Sequence, residues 1–417
     1  MDVRTDRLSR SLSTQDAVFI GLSSMIGAGI FAALAPAAAA AQAGLLFGLA
    51  IAAFVAFFNA SSSAQLARLY PASGGTYVYA KERLSEFWAW VAGWGFIVGK
   101  LASSAAVALT FGYYLFPGYA RFAAAGAIIA FTTLNYFGIK KTAGATKAVV
   151  TVVVLSLIAI VVLILHGAPS IANLQPLWGS SGLYGILQSA GIWFFAFAGY
   201  SRIATLGEEV RNPETSIPRA ILIGLSLTFL IYAAVVLSAL LVVGPATLAQ
   251  SNAPLVTAVQ EAGFVQWQWL VQVGSVFATL GVLLSIMVGT SRTIFAMAAD
   301  RNLPTYLARV HPKYKVPHLA EITAGLILVA IVLLADVRSA IGFSSFTVLL
   351  YYAITNASAH TLRADERLFN RTLPVLGLAG CLILAFALPL ASVIMGSAVI
   401  LFGIAVYTLH RRAKPPY

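Results

Sequence analysis

The chain has 417 residues, of which 60% are hydrophobic and only 10% charged, with a mean hydropathy of +0.88. Such a composition excludes a soluble globular domain, and a single cysteine excludes a disulfide framework or a cysteine-rich metal site. The net charge of +12 does not point to nucleic acid, because the basic residues sort by membrane side.

About 20 apolar residues cross a bilayer, and roughly twelve such stretches follow one another. They lie near 16–36, 43–67, 88–115, 119–137, 145–166, 186–206, 219–243, 267–297, 319–335, 339–360, 373–389 and 391–409. The expectation is an all-α integral membrane protein whose single domain occupies 1–417. Before the first span, Met1 to Asp16 has charges but no apolar run of signal-peptide type, so that span is expected to be retained. Of the 26 basic residues, 22 fall in loops of one side and only Arg121 and Arg338 on the other, with Lys100 and Arg202 inside spans. The positive-inside rule then predicts a multi-pass protein of the cell membrane with both termini cytoplasmic.

In chain order, the first informative stretch is SSMIGAGIF, Ser23 to Phe31, in the middle of span 1. Gly27 and Gly29 are two apart and point to different faces, so they cannot form one packing stripe, although Ser23 and Gly27 could. A broken helix is predicted here. The loop 68–87 is expected to lie along the inner membrane face as an amphipathic stretch. Lys100 sits about 13 residues into span 3, roughly 20 Å deep, where an ionisable group faces the bundle interior or a water-filled cavity. The alternative is a structural lysine bonded to helix-end carbonyls.

Five spans after the first break, Gly199 interrupts span 6 in FFAFAGYSR. Glycine-interrupted segments at matching positions of two halves point to an inverted-repeat transporter with its site at the midplane. The repeats would be 16–166 and 186–360, with 373–409 appended. Arg202 on the inner half of span 6 either snorkels or forms an inner gate. Glu208 and Glu209 end that helix and could pair with Arg68 or Arg83.

The blocks SSMIGAGIF, FFAFAGY with EEVRNPETSIPRAI, SRTIFAMAADRNLP and SFTVLLYYAITNASAHTLR occur in an order that resembles the amino acid-polyamine-organocation (APC) superfamily, of LeuT-like fold. The resemblance covers essentially the whole chain. It implies an amino acid held between the breaks of helices 1 and 6 in a 5+5 inverted repeat plus two extra helices. Freed amides of Ile26, Gly27, Ala28 and Gly29 would then meet the carboxylate, aided by the following half-helix. Carbonyls near Ser23, Ser24 and across Phe195, Ala196, Phe197, Ala198 and Gly199 would accept from the ammonium. An aromatic gate falls on Phe195 by alignment of the F-A-G triplet.

Some sodium-independent members carry a lysine on span 5, where this chain has Val153; Lys100 is the expected substitute, supplying a cation beside the first break. A lysine amine can take up and release a proton, so proton coupling is the expected drive. Sodium would need oxygen ligands, and span 8 offers only Ser285 at depth, with Thr290 and Ser291 near its inner end. Asp16, Glu208, Glu209, Asp300 and Glu321 all fall at span ends, so a polyamine or dibasic substrate would bring uncompensated positive charge beside Lys100. Small neutral amino acids are therefore favoured, and acidic ones stay open. The expected partners are an amino acid, a proton and the bilayer, without cofactor, metal or nucleic acid. No HExxH, P-loop or paired carboxylates organise an enzyme, and no repeated pore motif suggests a channel. An exchanger not driven by protons, and a sensor of the same fold that moves nothing, are the alternatives.

Overall fold

The structure is a computed structural model that describes residues 12–70, 74–138, 143–177, 181–204 and 210–412. Among these residues there are helices but no β-sheet. Span 1 is two helices, α1 (Thr14–Met25) and α2 (Ala28–Ala41), and span 2 is α3 (Leu45–Leu69). A short helix α4 (Thr76–Arg83) precedes span 3, α5 (Glu86–Leu115); spans 4 and 5 are α6 (Ala120–Tyr136) and α7 (Ala143–Leu165). Span 6 is α8 (Gly182–Phe197), a 3-10 turn at Ala198–Tyr200, and α9 (Ser201–Ala204). Span 7 is α10 (Pro213–Val243), followed by two short helices, α11 (Pro245–Gln250) and α12 (Pro254–Glu261). Spans 8 to 12 are α13 (Gln268–Ala299), α14 (His318–Leu334), α15 (Val337–His360), α16 (Thr372–Ala387) and α17 (Leu390–Arg412). Among the described residues, eight helical segments are long and apolar enough to cross a membrane, with His318–Leu334 and Thr372–Ala387 as shorter apolar helices.

The chain chemistry sets several of these ends. Ser13 and Asp16 form a reciprocal capping box at the start of α1. Asp336 caps α15 by accepting from the Arg338 and Ser339 amides at 2.9 and 3.0 Å. Gly244, at φ +78°, ends α10 in a conformation that a side chain would strain, and Pro245 and Pro254 open the next two helices.

The spans pack as two groups. Helices α1, α2, α3, α8 and α10 contact one another, as do α5, α6, α13 and α14; α7 touches both groups, and α15 lies on α5 with α16 and α17 outside it. A buried polar cluster joins α3, α15 and α16: Asn356 Nδ2 donates to Asn59 Oδ1 at 2.6 Å, Ser62 donates to Asn356 Oδ1 at 2.7 Å, and the fully buried Cys381 thiol donates to Asn59 at 3.3 Å. In a setting without water each such group needs a partner, so the cluster fixes the register of these helices.

On the face rich in basic residues, α4 does more than lie flat. Tyr77 and Tyr79 are buried, and Tyr77 donates to Asp300 at the end of α13 at 2.6 Å. Lys81 pairs with the same carboxylate at 3.2 Å. Arg83 pairs with Glu366 at 2.7 Å, and Arg68 donates to the Glu366 carbonyl at 2.7 Å. The partners expected for Glu208 and Glu209 are thus bound to Glu366, while Glu208 and Glu209 themselves lie outside the described residues.

Candidate functional site

The two interruptions meet. Gly27, at φ −89° and ψ −126°, separates α1 from α2, and no side chain caps the amides that open α2. Those amides have no carbonyl within their own helix, and Gly27, Ala28 and Gly29 are all buried. The Ile26 amide, expected to be free, instead donates to Leu22 at 2.7 Å and closes α1. In span 6 the backbone tightens into the 3-10 turn at Ala198–Tyr200.

Close approach explains the glycines. A Cβ on Gly29 would stand 2.6 Å from the Ala196 Cα and 3.0 Å from the Tyr232 hydroxyl. On Gly199 it would run into the Ser24 carbonyl and stand 2.7 Å from the Met25 nitrogen; on Gly27 it would meet Val282 of α13. Any side chain at these points would push the two interrupted helices apart.

Two tyrosines that the sequence reading passed over cap the carbonyls released at the breaks. Tyr232 of α10, fully buried, donates to the Met25 carbonyl and lies 3.5 Å from that of Ala196. Tyr352 of α15 donates to the Ala198 carbonyl at 3.3 Å, which Ser201 also reaches at 3.2 Å. A buried phenol needs a hydrogen-bond partner, and a tyrosine inside the apolar run LTFLIYAAVV is the signal that was available. Ser23 and Ser24 turn their hydroxyls back to the Ile20 carbonyl at 2.8 and 3.0 Å.

The site is more tightly covered on one side than on the other. Away from the basic face, α11 and α12 pack on α2, and the Tyr114 hydroxyl donates to the Phe31 carbonyl at 3.1 Å while accepting from the Leu255 amide at 3.4 Å. Towards the basic face, Ser23, Ser24, Phe195, Gly199 and Ser285 are half-buried, Arg202 is exposed, and nothing stands within 4 Å of a Cβ placed on Gly289. Of the aromatics Trp193, Phe194, Phe195 and Phe197, only Phe195 is not fully buried.

Lys100 is half-buried, with its ammonium 5.7 Å from the Phe96 ring centre. Phe96 in turn packs on Tyr351. Tyr114 meets Phe31, and Lys100 lies about 21 Å before Tyr114 along α5, whereas Gly27 lies only about 6 Å before Phe31 along α2. Lys100 therefore stands on the basic-face side of the first break.

Beside α1 a recess is lined by Leu22, Ser23, Ile26, Val149, Val150, Val153 and Ala278. Val153 occupies the span 5 position considered above. The only side-chain oxygen in the lining is that of Ser23, which is bonded within its own helix. On α13, Ser285 donates to Gly281 at 3.0 Å and Thr290 to Ile286 at 2.8 Å.

A broken first helix packed on a tightened sixth, along a chain of this hydropathy, is the pattern of a permease, and comparison with known proteins agrees. An uncharacterized transporter of Mycobacterium tuberculosis is 54% identical over 408 residues, covering 97% of this chain and 92% of its own. The branched-chain amino acid permease BcaP of Bacillus subtilis is 27% identical over 97% of this chain and 94% of its own. Cationic amino acid transporter 4 of Mus musculus is 28% identical over 86% of this chain and 60% of its own. The amino acid permease family model matches residues 16–414, and the chain belongs to that family.

Proposed function

We propose that the protein carries small neutral amino acids across the membrane by alternating access, coupled to protons and independent of sodium, with both termini cytoplasmic. The observation that carries this reading is the contact of the uncapped start of α2 with Ala196 and the adjoining 3-10 turn. Buried amides at a helix start bind a carboxylate, and in this reading the ammonium shares the Phe195 to Gly199 carbonyls with the Tyr232, Tyr352 and Ser201 hydroxyls. A zwitterionic head fits between them, Phe195 closes over it, and Arg202 lies at the exit.

Charge selects among amino acids. Lys100 lies on the basic-face side of the first break, so a dibasic substrate would meet a like charge there. The relative named for branched-chain substrates fits this reading; the one named for cationic substrates is the rival. The recess beside α1 offers one side-chain oxygen, that of Ser23, which its own helix already uses, and this supports sodium independence. The five-span repeats, about 16–166 and 186–360, would each give helices to both packed groups, and those groups, spans 1, 2, 6 and 7 and spans 3, 4, 8 and 9, would supply the moving and static parts.

Uptake into proteoliposomes tests the proposal. Alanine, serine or leucine should accumulate under an inward proton gradient in choline medium. A sodium requirement, or uptake only into vesicles preloaded with amino acid, would replace proton symport with sodium symport or exchange.

A further inference from the structure

We propose that Glu321, held between Ser291 and Asn135, is the group that takes up and releases the coupling proton. This rests on the proton-coupled reading above and locates it on a carboxylate rather than on Lys100. Glu321, placed at a span end by the sequence, is only 4% exposed, the one charged side chain buried to that degree among the described residues. The Ser291 hydroxyl donates to Oε1 at 2.6 Å, and Asn135 Nδ2 donates to Oε2 at 3.3 Å. No basic group forms an ion pair with it among the described residues. By contrast Asp16 is paired with Lys147 at 2.6 Å, Asp300 with Lys81 and Glu366 with Arg83.

The surroundings suit two protonation states. Asn135 is 4% exposed, and its Oδ1 is buried without a hydrogen-bond partner. With the carboxylate charged, Ser291 and the Asn135 amide group both donate to it. Once a proton is added, Glu321 becomes a donor, and a turned Asn135 amide presents the waiting oxygen. Other charged or titratable groups around the site are Tyr136 on α6, Arg292 on α13, His318 on α14, and His311 and Tyr314 in the preceding loop; the Tyr136, His311 and His318 rings lie 5.2 to 6.1 Å apart. Tyr136 adjoins Asn135 in the chain and His318 lies one helical turn before Glu321, so a proton would enter past these rings.

The link to the substrate site is α13. Ser291 lies about 13 Å along this helix from Val282, which packs on Gly27. Loss or gain of charge at Glu321 changes how α13 is held against α6 and α14, and that shift reaches the break in span 1 through one rigid element. A buried carboxylate kept solely for packing would need no such amphoteric neighbour.

Wild type and Glu321→Gln are compared in proteoliposomes for proton-driven accumulation of alanine and for exchange against internal alanine. The ratio of driven uptake to exchange should fall at least about tenfold in Glu321→Gln, and Glu321→Asp should recover part of the response. An unchanged ratio in Glu321→Gln, or a wild type indifferent to the gradient, overturns the proposal. Infrared titration of the purified protein in nanodiscs reads the site without transport. A carboxylic C=O band that titrates in the wild type and is missing from Glu321→Gln supports it, and the absence of such a difference overturns it. If no variant moves amino acids at all, the transport reading fails, and the infrared result alone decides the proton site.

Discussion

Gly29 and Ala196 touch: the Cβ that any other residue would bring to position 29 falls 2.6 Å from the Ala196 Cα, on backbone that cannot swing aside. The first break is therefore closed against the sixth span by the absence of a side chain. Gly29→Ala should force the helices apart, at a cost of about 1–3 kcal/mol, and lower uptake about tenfold or more with normal expression. Gly29→Leu and Gly27→Leu should abolish ligand binding in a thermal-shift assay. Normal binding by both leucine variants would place the site elsewhere.

Tyr232→Phe removes the donor to the Met25 carbonyl and leaves a buried acceptor unpaired, a loss of about 1–3 kcal/mol. Apparent melting temperature should drop, and uptake should fall more than binding, because the hydroxyl also approaches the Ala196 carbonyl. Tyr352→Phe should act in the same direction with a smaller effect, since Ser201 remains on the Ala198 carbonyl.

Charge selection is read in a ligand screen. Stabilisation follows RT ln(1 + [L]/Kd), so a millimolar binder shows at tens of millimolar. Small neutral amino acids should head the ranking in the wild type, and Lys100→Met should raise the response to lysine and arginine relative to alanine. A wild-type ranking led by arginine, lysine or putrescine would refute the role given to the basic approach.

The Arg83–Glu366 pair makes a pH prediction on the basic face. The Arg83 guanidinium and the Arg363 amide hold the Glu366 carboxyl down at about 2, below its ordinary 4.5. A depressed carboxyl contributes stability that is complete above its ordinary value and is lost as pH falls through the lower one. Melting temperature should thus decline below about pH 4.5 in the wild type, and this part of the decline should be absent from Glu366→Gln. Equal acid sensitivity of the two proteins would show that the pair contributes nothing.

The interruptions of spans 1 and 6 were legible because glycines two apart break any single packing face, and because a second glycine recurs five spans later. The tyrosine caps were not legible, since which carbonyl a hydroxyl reaches depends on how α10 and α15 cross the broken helices. Counting residues gave the depth of Lys100 but not its level relative to Gly27, which the contact of Tyr114 with Phe31 sets. Glu321 was placed at a span end by position along the chain, whereas its burial comes from α6 and α13 closing over it. The helices α11 and α12 carry proline start signals, Pro245 and Pro254, between spans 7 and 8.

The lone thiol has a practical consequence. Cys381 is fully enclosed between α3, α15 and α16, with its hydrogen directed at Asn59, so water-borne maleimides find nothing to modify in the native protein. The unaltered chain is already a silent background for site-directed labelling. Probes installed through cysteines on α1 and α13 would record changes in the separation of these helices by spin-spin distances or fluorescence without any prior removal of a native thiol.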